Sequence, residues 1–150
     1  MQQIYNLFPN FSDKSRVWIY TANRAITNIE SDFVQSNLEI FSSEWKAHSQ
    51  QLKAKACMLN EFTLVFVVDQ SITAASGCSV DSSVRFVKEI GKELNVDFFN
   101  RLNVLVQNNK DSSLFLHPYG KLSELYSHSY FNPLVETLKD LKENWLVEIK

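Results

Sequence analysis

Phe62-Thr-Leu-Val-Phe-Val-Val-Asp69 is a run of strand-forming residues that is apolar on both of its alternating faces. A polar stretch follows, ending Ala75-Ser-Gly-Cys-Ser79, and Val80-Asp-Ser-Ser-Val-Arg85 then opens a helical pattern. The first run reads as a buried, central strand. The order of buried strand, polar loop and helix start is a common place for chemistry in α/β and α+β folds. Free N–H groups gather at such a helix end.

Working upstream, Leu52 to Leu59 alternates, with Leu52, Ala54, Ala56 and Met58 to one side and Lys53, Lys55 and Cys57 to the other. With Asn60-Glu61 as the turn, this predicts a hairpin whose first strand is nearer the edge. Its register sets Cys57 opposite Leu64, on an outward-facing position. Cys78 would then lie about 15 Å away at ~3.4 Å per residue, beyond the ~7 Å that a disulfide allows, so the two cysteines are expected to stay free. Arg16-Val-Trp-Ile-Tyr-Thr-Ala22 predicts an interior strand. Thr27-Asn-Ile-Glu30 fits a capping box. Behind it Ile29, Phe33, Val34, Leu38, Phe41 and Trp45 recur at helical spacing, predicting a helix to about His48. Trp18 and Trp45 fall on apolar faces and read as core. Residues 1–15, with Ile4, Tyr5, Leu7, Phe8 and Phe11 around Pro9, read as an extended arm packed on the domain, the alternative being an exposed apolar patch for a partner.

Downstream, Val84, Val87, Ile90 and Leu94 form one stripe of a second long helix starting near Asp81. Residues 102–107 and 113–117 predict a further hairpin around Asn108-Asn-Lys-Asp111. One or two helical turns at 122–126, a brief strand at Tyr130-Phe131, a short helix from Thr137 to Asn144 and an extended end complete the chain. The expected architecture is α+β, a single two-layer domain over 1–150. It would have a mostly antiparallel or mixed sheet of about five or six strands and two long helices. The pattern is best defined over 16–107 and leaves the layout of 108–150 open.

The chain has 150 residues, 45% of them hydrophobic and 13% aromatic, with a formal net charge of −2. That is enough to bury a core without metals or disulfides. No dense Lys/Arg run suits a phosphate backbone, so no nucleic-acid partner is expected. No apolar run approaches the ~18 residues of a membrane span, and no secretory leader pattern opens the chain, so a cytoplasmic location without a membrane partner is expected. His48, His117 and His128 are scattered and no Cys/His pair has zinc spacing, so neither metal nor cofactor is expected.

Three pieces form a recognisable set: Val17-Trp-Ile-Tyr20 with Ala22-Asn-Arg24, Trp45-Lys-Ala-His48, and Val68-Asp69 through Ala75-Ser-Gly-Cys-Ser-Val-Asp-Ser-Ser-Val84. The chain resembles a family of small bacterial proteins of uncharacterised activity that often carry the label "ABC transporter ATPase". The likeness covers roughly Ile4 to Leu105 and continues weakly through Phe131-Asn-Pro-Leu-Val135. Ser49 stands where the family has glycine after His48. The resemblance implies a shared fold and site position, and no activity. The label conflicts with the residues. The only Gly-Lys pair, Gly120-Lys121, is followed by Leu122, and Phe115 occupies the place of the first glycine of a phosphate-binding loop. The chain is therefore expected not to be an ATPase of that class.

Cys78 is the candidate nucleophile or redox sensor, because a thiol at a helix N-terminus can have a lowered pKa. His48 would be its base and Asp69 the group orienting that base. The plainer reading makes Cys78 a small residue buried beneath the loop. Ser76, Ser79, Ser82 and Ser83, with Gly77, could hold an anion through hydroxyl and backbone groups. Their plainer role is capping, by Ser79 or Asp81. Arg24 could bind a carboxylate or phosphate bidentately, or pair with Asp69 or Asp81. The reading that follows is a non-catalytic ligand-binding or protein-interaction module. It would have a polar pocket at the Ser-Gly-Cys-Ser loop, and a small anionic ligand or a protein as partner. A thiol-dependent enzyme or redox sensor using Cys78 is the alternative.

Overall fold

Central to the structure, a computed structural model that describes residues 2–150, is a strand buried along its whole length. In chain order the elements are α1 (Gln2–Leu7), β1 (Arg16–Thr21), α2 (Asn28–Glu44), β2 (Lys46–Ala47), β3 (Gln50–Gln51), β4 (Lys53–Asn60) and β5 (Thr63–Asp69). Then come α3 (Gly77–Leu94), β6 (Asn103–Asn108), β7 (Leu114–Pro118), a 3-10 segment Tyr119–Glu124, β8 (His128–Phe131), α4 (Leu138–Asn144) and β9 (Leu146–Glu148). The expected α+β class, antiparallel pairing and two long helices are all present.

The strands divide among three sheets, ordered β1-β5-β4, β2-β3 and β7-β6-β8-β9. Strand β5 is the central one, with β1 and β4 antiparallel on either side. The expected interior strand β1 is thus an edge strand of its sheet. Its outer side is met instead by residues 136 and 137, where the Val17 N–H donates to Glu136 O at 2.9 Å.

Alternation along β5 explains the layering. Leu64, Phe66 and Val68 face α2 and α3, in one core with Tyr20, Val34, Leu38, Trp45, Val87 and Ile90. Val65 and Val67 face the other way, in a second core with Leu105, Phe131, Leu138, Leu141 and Trp145. The β1-β5-β4 sheet is therefore covered on both faces, making three layers where two were expected. A strand buried on both faces needs a near-continuous apolar run, which is what 62–68 supplies.

That second layer corrects the reading of Cys57. It pairs across from Val65, not Leu64, because the turn is Glu61-Phe62 rather than Asn60-Glu61, and a ladder shift between Met58 and Asn60 then moves Cys57 back from Phe66 to Val65. It is also buried, since its face packs with Ile4, Phe8 and Phe62. The N-terminal stretch is helical where an extended arm was expected, and its Ile4 and Phe8 are buried in the same core. The Tyr5 side chain lies outside the described residues. Lys55 Nζ donates to Leu7 O at 2.7 Å and lies 5.4 Å from the Phe8 ring centroid, pinning this segment to β4.

The capping box at the start of α2 forms as read. Thr27 Oγ1 accepts from the Glu30 N–H at 3.2 Å, and Glu30 Oε1 accepts from the Thr27 N–H at 3.0 Å. The helix stops at Glu44 rather than near His48, because the chain turns there into the β2-β3 hairpin. His48 and Ser49 form its tip with φ of 49° and 68°. Two successive positive φ values suit a tight two-residue hairpin and are why glycine fits such a place. Ile29 and Phe33 do not face the sheet: Ile29 is 88% exposed and Phe33 40%. Val34 and Leu38 alone carry the buried apolar face inside the helix, with Phe41 packed beside them and Trp45 at the cap.

Helix α3 begins at Gly77, four residues before the expected start near Asp81. It runs back over the sheet from the Asp69 end of β5 and closes on Asn95, whose left-handed backbone (φ 55°, ψ 50°) ends the helix. The Val96 N–H donates to Gly91 O at 2.8 Å, and a Cβ on Gly91 would lie 2.5 Å from Val96 O. A glycine lets the exiting chain cross the last turn this closely. Thr137 caps α4, its Oγ1 accepting from the Asp140 N–H at 3.1 Å, and that helix ends at Asn144 as expected.

Candidate functional site at the start of the long helix

Ser76 is the N-cap of α3, with extended backbone. Its Oγ accepts from the Ser79 N–H at 3.1 Å, while Ser79 Oγ accepts from the Ser76 N–H at 3.0 Å. This is a capping box in which a second serine takes the place usually held by Glu or Gln. The two hydroxyls lie 2.7 Å apart, and Ser79 Oγ donates to Lys46 O at 3.0 Å. If the Ser76 O–H donates to Ser79 Oγ, all of these contacts are satisfied at once. The cap therefore belongs to Ser76 rather than to the expected Ser79 or Asp81.

The remaining hydroxyls are engaged as well. Ser82 Oγ donates to Ser79 O and Ser83 Oγ to Val80 O, each at 2.7 Å. Trp45 Nε1 donates to Ser79 O at 2.9 Å, so the indole joins the helix start to the end of α2. Before the helix, Gln70 Oε1 accepts from the Ala75 N–H at 3.0 Å and shapes the loop. Gly77 and Cys78 occupy the first two helical positions, where N–H groups precede the helical ladder, and both are exposed. Cys78 thus stands on the surface, not beneath the loop, because the helix starts early enough to turn its second residue outward. The two thiols have exchanged their expected places. Burial pushes the Cys57 thiol up to about 11.

Asp69, at the end of β5, is buried and fully engaged. It accepts from the Ser71 hydroxyl at 2.7 Å and from the Ser71 and Ser12 N–H groups at 3.1 Å each. Lys53 Nζ lies 3.4 Å away. The Ser71 hydroxyl first, then these N–H groups and Lys53, hold its carboxyl down at about 2. These bonds tie the 12–15 turn and the loop after β5 to one carboxylate. His48 is exposed at its hairpin tip, which the Ser79–Lys46 bond anchors beside the start of α3. Among the described residues, none of Cys78, His48 and Asp69 is hydrogen-bonded to another.

Arg24 stands at the opposite end. It donates to both carboxylate oxygens of Glu30 at 2.8 Å, to Leu94 O at 2.7 Å and to Ala25 O at 3.0 Å. This caps the C-terminus of α3 and fixes the start of α2. The partner is Glu30 rather than Asp69 or Asp81, and the Arg24 bond is the main cause holding the Glu30 carboxyl down at about 2. An 18-residue helix is about 27 Å long, so Arg24 and Ser76 are separated by roughly that distance.

Two surface clefts complete the picture. One, of about 360 Å³, lies at the C-terminal end of α3 between Asn23, Lys88, Lys92 and Asp97. The other, of about 370 Å³, lies between the first turns of α2 and residues 58–61. Neither includes Ser76, Ser79 or Ser82. Among the described residues no group of three or more His, Cys, Asp or Glu could hold a metal ion, and no helix is long and apolar enough to cross a membrane. No family model, curated protein or solved structure matches the chain.

Sequence reasoning did not find the apolar side chains that the fold leaves outside. Ile29, Phe33 and Ile40 on α2 share one outward stripe. The signal was present, since apolar residues between 28 and 45 fall on more than one side of the helix.

Proposed function

We propose that this chain is a non-catalytic interaction module whose partner is a protein. The supporting observation is where its reactive side chains go. Asp69 serves Ser12, Ser71 and Lys53, Arg24 serves Glu30 and Leu94, and the serine hydroxyls close on the helix start. Nucleophilic catalysis needs a nucleophile, a base within hydrogen-bond reach and a group orienting that base. Here the three residues proposed for those roles are not bonded to one another. The resemblance to the small bacterial family is consistent with this reading, and we extend to the chain that family's fold but not its ATPase label.

One observation favours a second reading, a thiol-dependent enzyme or redox sensor: Cys78 is exposed on the first turn of α3. The two readings separate in a panel of chromogenic thioester, ester and peptide substrates. The interaction module gives no turnover above buffer with wild type. Turnover that vanishes in Cys78→Ala, while the melting temperature holds, would establish the enzyme instead. Peptide mass spectrometry after iodoacetamide treatment supplies the control. Exposed Cys78 should label well before buried Cys57, and preferential labelling of Cys57 would contradict the placement of both thiols.

A further inference from the structure

We infer that the outer face of α2 docks a basic amphipathic helix of a protein partner, an inference that rests on the interaction-module reading and gives it a location. Ile29, Phe33, Ser36, Ile40 and Ser43 follow one another at intervals of four, three, four and three residues. At ~100° per residue they fall within a strip about 80° wide, roughly opposite Val34 and Leu38, which face the sheet. Ile29 is 88% exposed, Phe33 40% and Ile40 57%. Both serines on the strip are exposed too, and each side chain is short enough for a partner to seat large apolar groups over it. The spacing is that of a helix-on-helix seam, in which side chains of one helix enter gaps on the other.

The charges beside the seam select the partner. Asp32 and Glu39 run along one edge, and Glu30 and Glu44 along the other. The helix has no Lys or Arg at all. Arg24 neutralises Glu30, leaving Asp32 and Glu39 on one edge and Glu44 on the other to face whatever lies in the seam. A partner helix with apolar seam positions flanked by Lys and Arg would meet both features.

A second copy of this chain would not. Packing α2 on α2 brings acidic edges together, which like charges on facing helices disfavour. The three apolar side chains offer on the order of 300 Å², within the range of a functional patch but well short of the ~800 Å² per partner of a stable interface between globular chains. A single helix laid in the seam, held by charge on both edges, is the occupant that this area suits. The face is already formed, since the Thr27 capping box, the Arg24–Glu30 bond and fully buried Val34 and Leu38 anchor α2 without a partner. Such preorganisation lowers the cost of docking.

The test uses the full chain and a synthetic peptide of about three heptads, with Leu and Ile at the seam and Lys and Arg on both flanks. Its fluorescent form is titrated and binding is read by anisotropy. The basic peptide should bind wild type, and Phe33→Asp with Ile40→Asp should weaken it at least about tenfold. That variant adds negative charge, so binding by charge alone would strengthen, and an unchanged or increased affinity overturns the proposal. Asp32→Lys with Glu39→Lys should also weaken the basic peptide and favour a peptide with Glu on its flanks. This second variant keeps the test decisive if the first fails to fold. No binding of the basic peptide to wild type overturns the proposal, and so does a dimer in sedimentation that the Phe33 and Ile40 substitutions abolish. These outcomes differ from substrate turnover dependent on Cys78, which would remove the broader reading instead.

Discussion

Replacing Phe66 with Ala tests the architecture where most of it meets. Phe66 is fully buried at the middle of β5, paired with Trp18 on one side and Ala56 on the other. Its ring meets Tyr20, Phe41, Trp45 and Phe86 edge-on, at centroid distances of 5.5, 5.7, 5.9 and 6.2 Å. Truncating a buried Phe costs about 3–5 kcal/mol through lost transfer energy and the cavity left behind. The upper half of that range applies here, because the four rings come from β1, α2 with its cap residue, and α3, and cannot all collapse inward without distorting those three elements. At ~2–4 °C per kcal/mol for a chain of this size, the melting temperature should drop by about 8–20 °C. Urea unfolding is the better assay, since a shifted midpoint at unchanged slope isolates stability. Ile29→Ala is the companion, and at 88% exposure it should stay within about 0.5 kcal/mol of wild type. A loss below about 1 kcal/mol for Phe66→Ala, or a loss at Ile29 equal to it, would refute the placement of β5 and α2.

Gly91→Ala should destabilise the chain by about 1–3 kcal/mol, against the ~1 kcal/mol that Ala normally gains inside a helix, because its Cβ would meet Val96 O at 2.5 Å. The sign in a thermal melt is decisive, and a stabilised variant would remove the chain crossing at the end of α3. Asp69 governs an acid transition. Its folded carboxyl sits near 2, below its ordinary 3.8, so its contribution is complete above the unfolded value and is lost as pH falls from about 4 towards 2. Asp69→Asn should cost about 1–2 kcal/mol at pH 7 and flatten that limb of a midpoint-against-pH plot, and an unchanged limb would contradict the assigned partners.

What the sequence made legible, and what it did not, follows the range of the interactions involved. Thr27, Thr137 and the strand 63–69 were readable because a cap or a run of apolar residues is decided within a few positions. The start of α3 was not, since Ser76, Ser79, Asp81, Ser82 and Ser83 all offer capping groups within eight residues, and only Lys46 O and Trp45 Nε1 decide among them. Those two partners come from more than thirty residues upstream. The burial of Cys57 escapes the sequence for the same kind of reason: alternation sorts β4 into two faces correctly but does not say what covers each. The Cys57 face is covered by Ile4 and Phe8 from the N-terminus and Leu105 and Leu138 from the C-terminal half, so no local pattern could signal its burial.

The candidate site shows the limit most clearly. Arg24 and the Ser-Gly-Cys-Ser loop both border the central sheet, and nothing in their spacing says that α3 holds them at its two ends. Once α3 is laid along the sheet, about 27 Å divides them, and Arg24 is engaged by Glu30, Leu94 O and Ala25 O at its own end. A pocket joining them would require the helix to be absent. What the same step exposes is the second apolar stripe of α2. A helix lying on one sheet buries one stripe, and Ile29 and Ile40 lie off it at 88% and 57% exposure, with Phe33 40% exposed beside them. Their position between two acidic edges is what moves the functional question from the polar loop to the outside of α2.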